Sequence, residues 1–448
     1  MAVRTDRACV IGAGSSGIAS CQVLNARGVG FDCFEAGSRV GGNWRYLNDN
    51  GMSSAYRSLH INTSRQLMQY AAYPMPADYP TYPGHAQIAG YFDNYVDHFG
   101  LREKIAFQTT VESVEPRSGG GFEVNVRAVD GDRRTDTYGA VLVANGHHWD
   151  PRWPVFPGAD GFTGRQRHSH DYKTPDDLAD RRVLVLGIGN SACDLAVESS
   201  RTAARTFLAI RRGAHVVPKY LFGMPTDHLT TSPLAHGPLW TQRLGLALML
   251  RLVRGSVSSY GLPTPDHKVL AAHPTISDDL LTRLGHGDIT VKPTIDRFDG
   301  DTVRFTDGSA ERIDDVIYCT GYKISFPFLD ERIISPADNE ISLFHRVVSP
   351  DCPGLFFVSL VQPLGATMPI AEAQSAWIAD LLLGTATLPP MAQMRAEIEA
   401  YKRKLRKRYV TSRRHTIQVD FQDHLADIRA ERRAGARRRG SSVALDLQ

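Results

Sequence analysis

Residues 8–35 read ACVIGAGSSGIASCQVLNARGVGFDCFE. The run ACVI is a short apolar strand, Gly12, Gly14 and Gly17 follow in the spacing GxGxxG, SSGIASCQVLNARG has a helical pattern, and a second strand ends at an acid, Glu35. Alone, GxGxxG is common in glycine-rich loops. Between a strand and a helix, with a carboxylate about twenty positions on, it specifies a dinucleotide-binding turn. Gly12 permits the tight turn, Gly14 lets the backbone approach a pyrophosphate, and Gly17 lets helix and strand pack closely. The helix N-terminus, with Ser16 in its first turn, then faces the anion. Glu35 is placed to accept hydrogen bonds from ribose hydroxyls, which suits FAD or NAD and repels a 2′-phosphate; the plain alternative is a solvated strand end.

The same grammar recurs at 181–213, RRVLVLGIGNSACDLAVESSRTAARTFLAIRRG, with Gly187, Gly189 and Ala192 in GxGxxA and with Asn190 and Ser191 opening the helix. Where the first copy ends in Glu35, this one is read as carrying Arg211 and Arg212. Guanidinium groups match a phosphate in charge and fork geometry, so the second copy is expected to prefer NADPH. Two arginines on a solvated strand end are the alternative. A further echo supports duplication: YGAVLVANGHH (138–148) and DDVIYCTGYK (314–323) each run an apolar strand into a small residue and Gly.

The expected fold is α/β, with two dinucleotide-binding (Rossmann-like) domains, the NADPH domain inserted into the FAD domain. The expected division is an FAD part at 1–160, an NADPH part at 161–324 with an insertion at about 215–290, a second FAD part at 325–430, and a basic tail at 431–448. Alternation in FEVNVRAV (122–129) predicts a strand and DGD (130–132) a turn. Ile88, Tyr91, Phe92, Tyr95, Val96 and Phe99 recur at helical spacing as a core stripe.

With 448 residues the chain exceeds one ordinary core, and a net charge of +3 does not imply nucleic acid as a partner. Its six cysteines are dispersed, with no CxxC and no metal-ligand spacing, as expected of reduced core residues in a cytoplasmic protein. The opening residues run into a strand without room for a secretory signal. LGLALMLRLV (244–253) is too short for a membrane span and carries Arg251, so a packed or amphipathic helix is expected rather than a lipid contact.

Between the two glycine-rich copies lies FTGRQRHSHDY (162–172), which in isolation suits a polar surface linker. In context it carries F-x-G-x-x-x-H-x-x-x-Y on Phe162, Gly164, His168 and Tyr172, followed by Asp176. This resembles the flavin-containing monooxygenases, class B flavoproteins. So do GGNWRY (41–46), SLHINTSRQLM (58–68), GHHWDPRWP (146–154), HPTISDDLL (273–281), CTGY (319–322) and VQPLGATMPIAEAQSAW (361–377).

The resemblance implies FAD and NADPH as cofactors. It also implies that NADPH reduces FAD, that dioxygen adds at flavin C4a, and that the hydroperoxide oxygenates a soft nitrogen or sulfur nucleophile. Asn62 matches the family's active-site asparagine, beside Thr63, although INTS also suits a turn. Trp44 after Gly42 would wall the flavin, with core packing as the alternative, and Gln362 and Gln374 would lie near its isoalloxazine end. Thr320 and Gly321 would be structural, in a segment that links the sites in the family. Gly164, His168 and Tyr172 would fix a hinge where the two domains meet; His168 as an acid or base is the weaker reading.

The family's animal members carry a hydrophobic C-terminal anchor, where this chain has YKRKLRKRY and RAERRAGARRRGSS, expected as solvated helix or frayed tail. A Baeyer–Villiger monooxygenase, with Arg65 as the cation near Asn62, and a non-oxygenating NADPH-sensing flavoprotein are the alternatives. The implied partners are a small nucleophilic substrate and dioxygen. Substrate identity and oligomeric state are not legible, with a homodimer kept open.

Overall fold

The computed structural model describes residues 7–231, 237–410, 412 and 415–445. Residues 1–6, 232–236 of the expected insertion, and 446–448 of the basic run lie outside the described residues. The chain divides into two compact units: Met1–Ala55, Leu59–Asp150 and Lys323–Gln448 form one, and Tyr56–Ser58 with Pro151–Tyr322 the other.

In the first unit, strand β1 (Ala8–Ile11) is followed by helix α1 (Ser15–Ala26) and strand β2 (Phe31–Phe34). These strands lie in a five-stranded sheet whose order is Leu355–Phe357, Ala140–Val143, β1, β2, Ile105–Ala106, and each neighbouring pair is parallel. A parallel sheet covered on both faces needs continuous apolar strands, and all four residues of β1 and of Ala140–Val143 are buried. Helix α1 packs on helix Met368–Leu382, with the Ser20 and Ser375 hydroxyls 2.9 Å apart. The helix His85–His98 buries Ile88, Tyr91, Phe92, Tyr95 and Val96, the stripe expected from its spacing. The strand expected at 122–129 spans Phe122–Ala128, and the turn at Gly131 closes with Ala128 N–H donating to the Asp132 carbonyl.

The second unit repeats this design. Strand β3 (Arg182–Leu186), helix α2 (Asn190–Thr202) and strand β4 (Arg205–Ala209) lie in a parallel sheet ordered Ile289–Lys292, β4, β3, Asp315–Tyr318, Arg165–His168. Each unit also carries a three-stranded antiparallel meander, at 109–138 and at 295–312. Duplication therefore extends beyond the glycine loops to strand order and meander.

Two differences from the sequence reading have physical causes. The second unit begins at Pro151 rather than 161, because its meander grips the earlier residues: Phe298 N–H donates to the Pro157 carbonyl at 2.9 Å. The end of the expected insertion, from 279 to about 290, instead belongs to a helix (Asp279–Gly285) and a sheet strand (Ile289–Lys292) of the unit itself. Helix α3 (Leu239–Arg254) is amphipathic as expected. It buries Leu250 beside Val217, Leu221 and Val269, while Trp240, Leu244, Leu248 and Leu252 are more than half exposed. No helix among the described residues is long and apolar enough to cross a membrane.

The basic run at 431 is not a frayed tail over its described length. Helix Phe421–Leu445 continues through it, and two of its arginines are held by acceptors on other segments and on the helix itself. Arg432 pairs with Asp380 at 2.7 Å, and Arg438 binds the Thr387 carbonyl and buried Glu431. The same helix is anchored by His424, whose Nε2 lies 3.1 Å from Gln374 Nε2.

Burial pushes His424 down to about 3 and nearby His345 down to about 4. An unfolded histidine titrates near 6.5, so these folded values are depressed, and the fold favours the neutral rings. The contribution is whole above about pH 6.5 and is lost as pH falls toward the folded values. Between pH 7 and 5 each ring is expected to withdraw about 2 kcal/mol of stability. Urea unfolding of the parent and of His424→Gln across that range checks this: the variant should have the shallower slope, and equal slopes would clear His424 of any part.

Candidate active site

The glycines of the first loop are fixed by contact. Gly12 has φ +96°, and a Cβ there would meet the Ala144 carbonyl oxygen at 2.9 Å; one on Gly17 would sit 1.8 Å from the Gly12 carbonyl oxygen. Helix α1 starts with no side-chain cap and no acid in its first turn, so its N-terminal N–H groups, with Ser16 among them, suit an anion. Gly42, at φ +51°, brings a second turn against the loop, where its Cβ would lie 3.1 Å from Gly14 Cα. Only backbone of this slenderness lets the two turns meet, and this is the cradle that a pyrophosphate needs.

Glu35 is placed at that cradle in an unexpected way. Its carboxylate accepts from Ala13 N–H at 2.7 Å and Gly37 N–H at 2.8 Å, with Asn50 Nδ2 at 3.2 Å. It therefore braces the loop from beneath. Burial pushes its pKa up, opposed by those three donors. Trp44 is half-buried and packs on the unit's main core.

Asn62 sits half-buried in the loop after Ile61, and its side-chain amide has no hydrogen-bond partner among the described residues. Its neighbour Thr63 donates from Oγ1 to the Gly365 carbonyl at 3.4 Å, bringing INTS against the VQPLGATMP segment. Gln362 opens a strand that pairs with Gln418–Asp420 and is likewise half-buried. Gln374 is different. It is fully buried, and its Oε1 accepts from Ser359 N–H at 2.7 Å, so its amide braces the C-terminal helix rather than facing a ligand. Arg65 turns away from Asn62's amide chemistry: its Nη1 and Nη2 donate to the Pro76 and Ala77 carbonyls.

In the second unit Gly187 has φ +134° and a Cβ there would lie 2.8 Å from the Cys319 carbonyl oxygen. Gly189 caps α2 without a side-chain bond, and the first turn holds no acid, which again suits an anion. Asn190 is occupied, accepting from Ile276 N–H at 2.8 Å, so its side chain fixes the segment 275–276; Ser191 is left half-buried in the first turn. Register corrects the placing of the paired arginines. Gly12 N–H bonds Phe34 O and Gly187 N–H bonds Ala209 O, so the counterpart of Glu35 is buried Ile210, with exposed Arg211 and Arg212 following it. Thr320 donates to the Arg152 carbonyl at 2.6 Å and Gly321 has φ +80°, so both shape the turn after the last central strand.

The segment 162–172 belongs to the second unit's sheet. Arg165–His168 is its edge strand, with His168 opposite Tyr318. Gly164 is obligatory there, since a Cβ would strike the Phe162 ring at 2.5 Å and the Asp314 carbonyl oxygen at 2.8 Å. His168 is fully buried, accepts at Nδ1 from His170 N–H at 3.1 Å, and is pushed down to about 4 by burial, which makes it a neutral structural ring.

Sequence reasoning missed the strap at 56–58. Tyr56 donates to Asp194 on α2 at 2.5 Å, Tyr172 donates to Glu198 one turn on at 2.6 Å, and Arg57 forks onto Asp176. Burial raises the Asp194 carboxyl to about 6. The acid in GNSACD was the available signal.

Comparison with known proteins gives this arrangement its setting. The model of the family described as flavin-binding monooxygenase-like matches residues 5–437. Flavin-containing monooxygenase 5 of Rattus norvegicus is 39% identical over 440 residues, covering 94% of this chain and 82% of the relative. An N-oxide-forming dimethylaniline monooxygenase 2 of Mus musculus is 34% identical over 438 residues, with the same two coverages. Among solved structures, S-allyl-L-cysteine S-oxygenase from Allium sativum is 25% identical with a TM-score of 0.72, covering 97% of this chain and 92% of its own. A steroid monooxygenase bound to NADP, 17% identical with a TM-score of 0.74 over 97% of this chain and 98% of its own, shares the fold. The uncapped glycine cradles, the INTS loop and this agreement along the chain lead to one assignment: the protein belongs to the flavin-binding monooxygenases, oxidoreductases that place one oxygen atom of dioxygen on a substrate.

Proposed function

We propose that the chain oxygenates a soft nitrogen or sulfur nucleophile, with FAD held by the first unit's cradle and NADPH by the second's. Bound FAD would carry the electrons of NADPH to dioxygen, so that one atom of dioxygen is activated for transfer to the substrate. The balance is one NADPH, one proton and one dioxygen consumed per N- or S-oxide and water formed. The protein's own part is to bind and to shield. The uncapped helix starts at Ser15 and Asn190 offer N–H groups to pyrophosphate. Asn62 offers a free amide next to Thr63, whose hydroxyl joins INTS to the VQPLGATMP segment.

The observation that carries the nucleophile reading is Arg65. Insertion of oxygen into a ketone needs a stabilised anion with a cation beside it, whereas a soft nucleophile attacks an oxygen that keeps its proton. Arg65, the cation nearest Asn62 in sequence, is committed to the carbonyls of Pro76 and Ala77. The names of an N-oxide-forming relative and an S-oxygenase neighbour point the same way. Incubation with NADPH and oxygen over tertiary amines, hydroxylamines, thioethers and cyclic ketones, with product masses measured, tests the reading. N- or S-oxides are expected; lactones or esters without any heteroatom oxide would overturn it.

NADPH selectivity is assigned to Arg211 and Arg212. A charge-assisted hydrogen bond is worth about 1.5 to 3 kcal/mol, roughly ten- to a hundredfold in affinity. The double alanine variant is expected to lose that much NADPH affinity and little for NADH. Equal affinity of the parent for both nucleotides contradicts the assignment.

A further inference from the structure

Arg212 is held by a chain of groups that the glycine motif does not contain. Its Nε donates to Asp266 Oδ2 at 2.8 Å, and the other oxygen, Oδ1, lies 3.0 Å from His267 Nδ1. His215 Nε2–H in turn donates to the His267 carbonyl oxygen at 2.8 Å, and the two imidazoles meet edge to face at 5.2 Å. The segments 210–215 and 263–267 are pressed together where Gly213 sits. A Cβ on Gly213 would lie 2.3 Å from the Pro263 carbonyl oxygen and 2.6 Å from the Thr264 carbonyl carbon. The brace is thus built from backbone contact as well as from side chains.

A guanidinium has three nitrogens, and Asp266 takes only the inner one. Both Nη groups of Arg212 remain without a hydrogen-bond partner among the described residues. Those are the two donors that fork onto a phosphate. We propose that Asp266 is a positioning residue for nucleotide specificity: it holds Arg212 by Nε so that the Nη pair is presented to the 2′-phosphate of NADPH. The inference rests on the reading of the second unit as the NADPH site.

Two effects of Asp266 oppose each other. Its charge repels a phosphate, and its hydrogen bond removes the rotamer freedom of a long side chain that would otherwise be lost on binding. Repulsion is screened by solvent and salt because Asp266 is half exposed, and one carboxylate oxygen already faces His267. Preorganisation is not screened. The carboxyl is drawn down to about 2 by Arg212 and then His267, so the brace stays ionised across the working pH range.

The test is titration calorimetry of the FAD-loaded full chain with adenosine 2′,5′-bisphosphate and with AMP, alongside KM and kcat for NADPH and NADH. Asp266→Ala is expected to weaken the bisphosphate and raise the NADPH KM about tenfold, leaving AMP binding, NADH KM and kcat at saturation unchanged. Asp266→Asn, which keeps an acceptor for Nε, should recover most of that loss. Tighter or unchanged bisphosphate binding in Asp266→Ala overturns the proposal, as does an equal change for AMP, which would mark a general structural defect. Arg212→Ala is measured in parallel. If it loses discrimination while Asp266→Ala does not, the positioning role fails and the NADPH site stands; if it loses none, both fail.

Discussion

Asn62→Ala is expected to retain FAD and to oxidise NADPH at close to the parent rate, while releasing nearly all of the consumed oxygen as hydrogen peroxide. The reason is local. The Asn62 amide is the unengaged donor of a loop that is otherwise tied down: Ile61 N–H bonds the Pro83 carbonyl and Thr63 bonds Gly365. Removing it should leave the loop in place. Loss of one preorganised donor at a developing charge costs about 10²–10³ in rate, and that loss falls on oxygen transfer alone. Peroxide and product measured per NADPH consumed decide the matter. An unchanged ratio with unchanged product yield reduces Asn62 to a turn residue.

Gly17→Ala should have the larger effect on stability. The added Cβ would lie 1.8 Å from the Gly12 carbonyl oxygen, a backbone atom of the same loop, and Gly12 is itself pressed on Ala144. Neither side can give without separating α1 from β1. More than about 3 kcal/mol of destabilisation is expected, together with loss of bound flavin. Gly90→Ala in the helix His85–His98 is the matched control: nothing lies within 4 Å of its added Cβ, so helix propensity should stabilise it by about 0.5–1 kcal/mol. Flavin absorbance per protein and urea midpoints of the two variants separate a steric requirement at Gly17 from a general sensitivity to glycine loss.

The parts of this fold legible in the sequence are those decided by neighbours a few positions away. Gly17 is dictated by the Gly12 carbonyl within its own βαβ turn, Gly12 and Gly187 by the positive φ that the tight turn demands, and the stripe of His85–His98 by helical period. What stayed hidden depends on partners far along the chain. Asn190 looks available in GxGxxA until Ile276 occupies it, Gln374 until Ser359 and His424 do, and Arg65 until the carbonyls at 76 and 77 do. The strap Tyr56–Ser58 has no local pattern, because Asp194 and Asp176 hold it from more than a hundred residues away. The basic run after 431 misled for a related reason: arginines read as solvated when their acceptors are main-chain carbonyls and a buried acid, none of which charge counting reveals.

Whether oxygen goes to a heteroatom is measured directly by one competition. The enzyme receives NADPH and isotopically labelled dioxygen, ¹⁸O₂, with a tertiary amine, a thioether and a cyclic ketone present together at equal concentration. One labelled oxygen in the N-oxide or sulfoxide is expected, with no labelled lactone. Label found in the lactone alone, or only in peroxide and water, would contradict it.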